Sequence, residues 1–205
     1  MLHVVKQNCF NMKDIDKNTS SKNIWFTSDQ HFNHANIIKF CDRPFKNHHE
    51  MDEVMIDNWN SVVEKDDDIY HLGDMALSAP GYLIDILSQL NGKIHFIRGN
   101  HDKTALNVYK KHPHIFEWVK DYYYLKVLDP EISGGSQRLF LIHYPMLTWN
   151  GSHHGSWNLF GHVHNAPVKN LKPAQLNVGV DVNNFTPISY EEVKIQITKQ
   201  LIKYK

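Results

Sequence analysis

Residues 93–102 read Lys93-Ile94-His95-Phe96-Ile97-Arg98-Gly99-Asn100-His101-Asp102. The apolar residues Ile94, Phe96 and Ile97 make a run of the length of a buried strand, and the run stops at a glycine followed by Asn, His and Asp. A strand that delivers such a loop is the repeating theme upstream. Ile69-Tyr70-His71-Leu72 reads as a second buried strand and ends at Gly73-Asp74, and Ile24-Trp25-Phe26-Thr27 reads as a third and ends at Ser28-Asp29. Helical patterns lie between them. Met51, Val54, Met55, Trp59 and Val62 share one stripe, with Asn47 and Glu50 placed as N-cap and reciprocal partner. Pro80 opens another helix, on which Leu83, Ile86, Leu87 and Leu90 recur until Asn91-Gly92 ends it. A third helix starts near Lys103. Strand, helix, strand, helix, strand predicts an α/β sheet with parallel crossovers.

The second half has a different texture. Trp118 to Leu128, Gln137 to Ile142, Trp157 to Phe160 and Leu176 to Val180 are strand-like runs separated by turns, with Gly134-Gly135-Ser136 as a hairpin turn. Near the end Ser189 and Glu192 form a capping box, and Tyr190, Val193, Ile197 and Leu201 make a helical stripe; Val193, Ile195 and Ile197 also alternate as a strand would, and helix is the preferred reading. Residues 1–22 are polar beyond Leu2, Val4 and Val5 and are read as a flexible N-terminal extension, leaving 23–205 as a single domain.

Composition narrows the function. At 205 residues the chain can bury a core without disulfides, and 22 basic against 22 acidic side chains leave no long-range field for duplex nucleic acid or an anionic membrane. Cys9 and Cys41 show no pairing or Cys-x-x-Cys pattern, no run approaches the roughly 18 apolar residues of a membrane span, and no signal-peptide core precedes the domain. The expectation is a soluble cytoplasmic protein. The 15 histidines are an excess, and their position decides their meaning.

Five clusters follow directly on the predicted strands: Asp29-x-His31, Gly73-Asp74, Gly99-Asn100-His101-Asp102, His143, and Gly161-His162-x-His164. Ligand sites of open α/β sheets lie outside the carboxyl ends of the strands, so all five can converge at one rim. If the backbone there is extended, residues two apart point the same way, pairing Asp29 with His31 and His162 with His164. Gly73, Gly99 and Gly161 leave room for close approach.

In this order the five blocks resemble the calcineurin-like metallophosphoesterase superfamily over roughly residues 23–190. Phe26-Thr27-Ser28-Asp29-x-His31-Phe32, Tyr70-His71-Leu72-Gly73-Asp74 and Asp181-Val182-Asn183-Asn184 are similar to its small single-domain bacterial and phage enzymes. The resemblance implies a four-layer α/β/β/α sandwich of two mixed β-sheets. It implies one divalent metal held by Asp29, His31, Asp74 and His164 and a second by Asp74, Asn100, His143 and His162, with Asp74 bridging. It further implies a metal-bridging hydroxide as nucleophile, His101 as general acid and Asp102 orienting it, in a phosphodiesterase or phosphatase. Mixed N/O ligation suits Mn²⁺, Fe²⁺, Zn²⁺, Ni²⁺ or Co²⁺, manganese first. His34 could reach the substrate phosphate or simply start a helix, and Arg43 could clamp phosphate or form an ordinary loop salt bridge. In the rival reading of the third block, His101 and Asp102 simply cap the helix at Lys103.

Met75-Ala76-Leu77 follows Gly73-Asp74 where the serine/threonine protein phosphatases carry Asp-Arg-Gly, which puts that activity in doubt. The implied partner is a small phosphorylated substrate or nucleotide. The alternatives are an inactive scaffold on the same fold, a nuclease acting on single-stranded ends, or a metal hydrolase of another bond.

Overall fold

The computed structural model describes residues 19–20 and 24–204. Its first sheet has the order β10(Ile188–Ser189)-β2(Ile24–Thr27)-β3(Asp68–His71)-β4(Lys93–Ile97)-β5(Trp118–Lys120), with β2 to β5 parallel and β10 antiparallel to β2. The crossovers carry α1(Ala35–Phe40) and α2(His48–Val62), then α3(Pro80–Leu87), then α4(Lys103–Lys111). The second sheet runs β1(Thr19–Ser20)-β6(Tyr122–Leu128)-β7(Ser136–Ile142)-β8(Trp157–Phe160)-β9(Gln175–Asn177); β6 and β7 are an antiparallel hairpin and its other pairs are parallel. The protein is thus α/β with two mixed sheets.

Alternation along β3 shows how the cores are divided. Ile69 joins Ile94 and Phe96 under Met51, Met55 and Trp59 of α2, Leu83 and Leu87 of α3, and Ala105 and Val108 of α4. Tyr70 and Leu72 face the opposite way, joining Ile24, Phe26 and Ile97 against Leu125, Val127, Leu139, Leu141 and Leu159 of the second sheet. Both faces of the parallel strands are buried, which is why their sequences read as continuous apolar runs. On β6 only one face is inward: Tyr123, Leu125 and Val127 are buried, and Tyr122 is exposed.

Several boundaries differ from the sequence reading. The run 118–128 breaks at Asp121 into β5 and β6, which belong to different sheets. Helix α3 ends at Leu87, and Leu90 packs beneath it from the following turn. Thr19 and Ser20 pair with Val127 and Leu128, so this part of the predicted extension belongs to a sheet; the rest of residues 1–22 lies outside the described residues. The C-terminal ambiguity resolves as α5(Tyr190–Lys203), with Ser189 Oγ accepting from the Glu192 N–H at 3.2 Å. Val193 and Ile197 are fully buried while Ile195 is 44% exposed, a pattern that a helix produces and a strand would not.

Helix α5 is tied down by Asp129, which lies between β6 and β7. Its Oδ2 accepts from Tyr190 Oη at 2.9 Å and Lys194 Nζ at 3.1 Å. Burial pushes this carboxyl up, but the Lys194 and Tyr190 hydrogen bonds outweigh it and hold Asp129 below the usual range. Asp129→Ala should cost about 1–3 kcal/mol, since it orphans the buried tyrosine hydroxyl. Because the folded carboxyl titrates below its unfolded value of about 4, the charge-dependent part of the contribution is complete above that value and is lost as pH falls through the folded one. Urea unfolding of wild type and variant at pH 7 and again below pH 4 should show the gap closing on acidification.

Candidate metal centre

The five blocks sit at the carboxyl ends of β2, β3, β4, β7 and β8. Hydrogen bonds extend the β2–β3 ladder past the strand ends: Asp29 N donates to Gly73 O (3.0 Å), His31 N to Asp74 O (3.1 Å) and Phe32 N to Met75 O (2.9 Å). Gly161 N donates to His143 O at 2.9 Å and zips the fourth block to the fifth. The sheets are fastened to each other where Val180 N donates to Ser28 O (3.0 Å) and His143 Nδ1 donates to Leu72 O (2.7 Å).

Within this frame the ligating atoms gather into two trios, Asp29 with His31 and His164, and Asp74 with His143 and His162, the atoms of each lying within 4.8 Å of one another. Asp74 joins them. Its Oδ2 stands 3.6 Å from His31 Nε2 and 3.4 Å from His143 Nε2, while its Oδ1 accepts from the His101 N–H at 2.8 Å. Asn100 Oδ1 adds a donor to the second trio, 3.0 Å from His143 Nε2. Two ligands on one tetrahedral ion with bonds of about 2.1 Å lie about 3.4 Å apart, which matches these spacings. The donor set fits divalent cations for a second reason: His31 is buried and neither ring nitrogen has a hydrogen-bond partner among the described residues. Such orphaned polar atoms are costly unless something binds them.

Convergence is achieved differently from the extended-backbone expectation. Asp29 (φ 65°), His31 (φ 53°), Asp74 (φ 57°), His162 (φ 71°) and His164 (φ 51°) are all left-handed. Asp and His tolerate this region better than most residues, yet each instance costs about 1–3 kcal/mol. The turns are so tight that a Cβ at Gly99 would collide with Asp74 Oδ1, and one at Gly161 with Ser28 Oγ and Asp29 Oδ2.

Arg43 does not clamp phosphate. Its guanidinium is buried: Nε and Nη2 donate to the two carboxylate oxygens of Asp181 (2.7 and 2.8 Å), Nη1 to Gln30 O (2.8 Å) and Nη2 to Asp29 O (2.7 Å). It holds the main chain of the first block. Asp181, which the sequence reading left without a role, also accepts from His164 Nδ1 at 2.8 Å. That bond aims the other ring nitrogen, just as the Leu72 carbonyl aims His143. Cys41, His164 and Asp181 form a third trio, but it shares His164, and Arg43 already occupies Asp181.

Asp102 does not orient His101 either. Its Oδ2 accepts from Gly99 N (2.6 Å) and Asp74 N (2.8 Å) and its Oδ1 from Met75 N (2.9 Å). It therefore braces the second and third blocks, and although it occupies the N-cap position of α4 its side chain makes no capping bond. His101 is exposed, its ring 5.5 Å from that of His31. His34 precedes α1 without capping it, and its ring also lies 5.5 Å from His31. Buried His71 accepts from Gly73 N at 3.1 Å and shapes that turn.

Burial and neighbouring charges shift the titration of both trios. Burial pushes the Asp29 carboxyl up to about 6 and His31 down to about 3. Burial opposes charge on His164 and His143 too, but the Asp181 hydrogen bond lifts His164 to about 10, and Asp74 raises His143. At Asp74 burial is outweighed by the His143 hydrogen bond and the carboxyl falls to about 2. Burial lowers His162.

No protein-family model matches the sequence. The solved structure of the protein of unknown function AQ665 from Aquifex aeolicus superposes with a TM-score of 0.61 at 24% identity, covering 84% of this chain and 97% of that one, so the two share a fold. The Gene 66 protein of Mycobacterium phage D29 is 28% identical over 184 residues, 78% of this chain and 88% of the phage protein. The uncharacterized protein MJ1445 of Methanocaldococcus jannaschii is 36% identical over 182 residues, 88% of this chain and 94% of the relative. Two proteins alike at this level across nearly their whole lengths share one family, and the chain belongs to that of MJ1445.

Proposed function

We propose that the protein is a metal-dependent phosphoesterase with a dinuclear centre, a member of the metallophosphoesterase superfamily on the four-layer α/β/β/α sandwich. The observation that carries this is Asp74 Oδ2, shared between His31 of one trio and His143 of the other. Asp29, His31, Asp74 and His164 would hold one cation, and Asp74, Asn100, His143 and His162 the other. Bound there, two divalent cations would supply Lewis-acid charge to a phosphoryl group and lower the pKa of a water between them. Two carboxylates against four positive charges leave a surplus of about two facing the phosphate.

The chain's own residues supply the rest. His101 presents an exposed imidazole beside His31, on a backbone fixed by the bond from its N–H to Asp74. In hydrolysis the water oxygen forms a bond to phosphorus, the ester P–O bond breaks, and the departing oxygen takes a proton, which His101 is placed to give. His34, beside the same ring, is placed to bind a phosphate oxygen.

Manganese-loaded protein should hydrolyse bis(p-nitrophenyl) phosphate and lose that activity on chelation; stoichiometric metal without turnover, or no metal at all, would favour the scaffold. His101→Ala should keep its metal and lose rate by roughly 10²-fold or more, and unchanged turnover would remove His101 from the acid role. Cations compete with protons for His164 and His143, whose proton affinities are raised, so metal affinity should rise with pH and binding should release protons. Calorimetric titration with Mn²⁺ in two buffers of different ionisation enthalpy reads this directly; equal heats would contradict it.

A further inference from the structure

A cleft of about 750 Å³ opens beside the second trio. Of its lining residues Asn100 and Tyr144 mark the end nearest that trio, which is its inner end: Asn100 Oδ1 lies 3.0 Å from His143 Nε2 and the ring of Tyr144 4.6 Å from that of His162. One wall is a single stripe of α4, Lys103, Leu106, Asn107 and Lys110, at the spacing that puts four residues on one helical face. The opposite face of α4 is spent on the core through Ala105 and Val108. Across the cleft stand Tyr122 and Tyr144, both more than 40% exposed.

The charges lining the cleft are unequal. Arg98 is matched by Asp121 at 2.7 Å, and the carboxylate of Asp102 is turned inward onto three backbone N–H groups. Lys103 and Lys110 are exposed and make no ion pair among the described residues. In a chain with no net charge this is a local cationic wall. Seven residues of helix set the two lysine positions about 10 Å apart along its axis, more than one phosphate needs. Cations along one wall and aromatic faces along the other are the combination that binds single-stranded nucleic acid, backbone on the lysines and bases on the rings.

We propose that this cleft is a substrate subsite for a short single strand of nucleic acid, held so that a phosphodiester at its inner end reaches the metal centre and is cut to a phosphomonoester and a free hydroxyl. The inference rests on the phosphoesterase reading for the position of the scissile bond. Its test separates the two. Binding of fluorescein-labelled hexathymidylate to metal-free protein is followed by anisotropy as salt is raised, for wild type and for Lys103→Glu/Lys110→Glu. The variant should bind at least ten-fold more weakly, and its log–log salt slope should be shallower by roughly 1.4, two phosphate contacts' worth. With Mn²⁺, its turnover of the oligonucleotide relative to bis(p-nitrophenyl) phosphate should fall at least five-fold. Unchanged affinity and slope would overturn the subsite, and equal binding of a duplex of the same length would overturn its preference for single strands. Lysine-dependent binding by a wild-type protein that cleaves neither compound would uphold the groove and overturn the phosphoesterase reading.

Discussion

The position of one carboxylate governs the rest of the site. Asp74 leaves β3 in a left-handed turn, has one oxygen pinned by the His101 N–H, and carries the other to a point within 3.6 Å of an imidazole from each trio. Two other features of the rim serve that placement. Asp102 binds the N–H groups of Asp74 and Met75 and reaches back to that of Gly99, which ties the second block to the third. The absence of a Cβ at Gly99 is what lets Asp74 Oδ1 lie against it.

The five left-handed Asp and His residues carry strain that an isolated loop would shed. Arg43 and Asp181 are part of what holds it. The guanidinium satisfies two main-chain carbonyls of the first block, and its carboxylate partner fixes His164 from the fifth. A buried ion pair is weak evidence of stability taken alone. Here two of the guanidinium's four hydrogen bonds to oxygen join segments 138 residues apart and the other two hold the first block, and their effect is geometric. Charge follows the same logic: against the cost of burial, Asp181 raises the proton affinity of His164 and Asp74 that of His143.

Much of this was legible in the sequence, and the parts that were not share a cause. The crossover half was readable because strands buried on both faces are apolar throughout and each ends at a glycine or polar turn. The candidate ligands were readable because Asp, His and Asn recur at those ends. Of the two readings of Arg43 the structure shows the salt bridge, but its partner Asp181 is 138 residues away and its other two bonds to oxygen go to main-chain carbonyls, which leave no mark on residue identity. Asp181 carried no signal beyond the run Asp181-Val182-Asn183-Asn184, for the segment that presents it is a short 3-10 turn, not a strand end. The switch of sheets at Asp121 escaped notice because β5 and β6 are alike in composition and one residue apart. Handedness of the loops was equally hidden: the rule of residues two apart gave one right pair, Asp29 with His31, through the wrong backbone, and one wrong pair, since His162 and His164 fall in different trios.

The central claim is that Asp74 joins two cation sites. Diffraction from crystals grown with Mn²⁺, with anomalous maps at the manganese edge, tests it most directly. The account predicts two peaks about 3.5–4 Å apart, with Asp74 in contact with both. A single peak, or two separated by a distance no carboxylate oxygen can span, would contradict it.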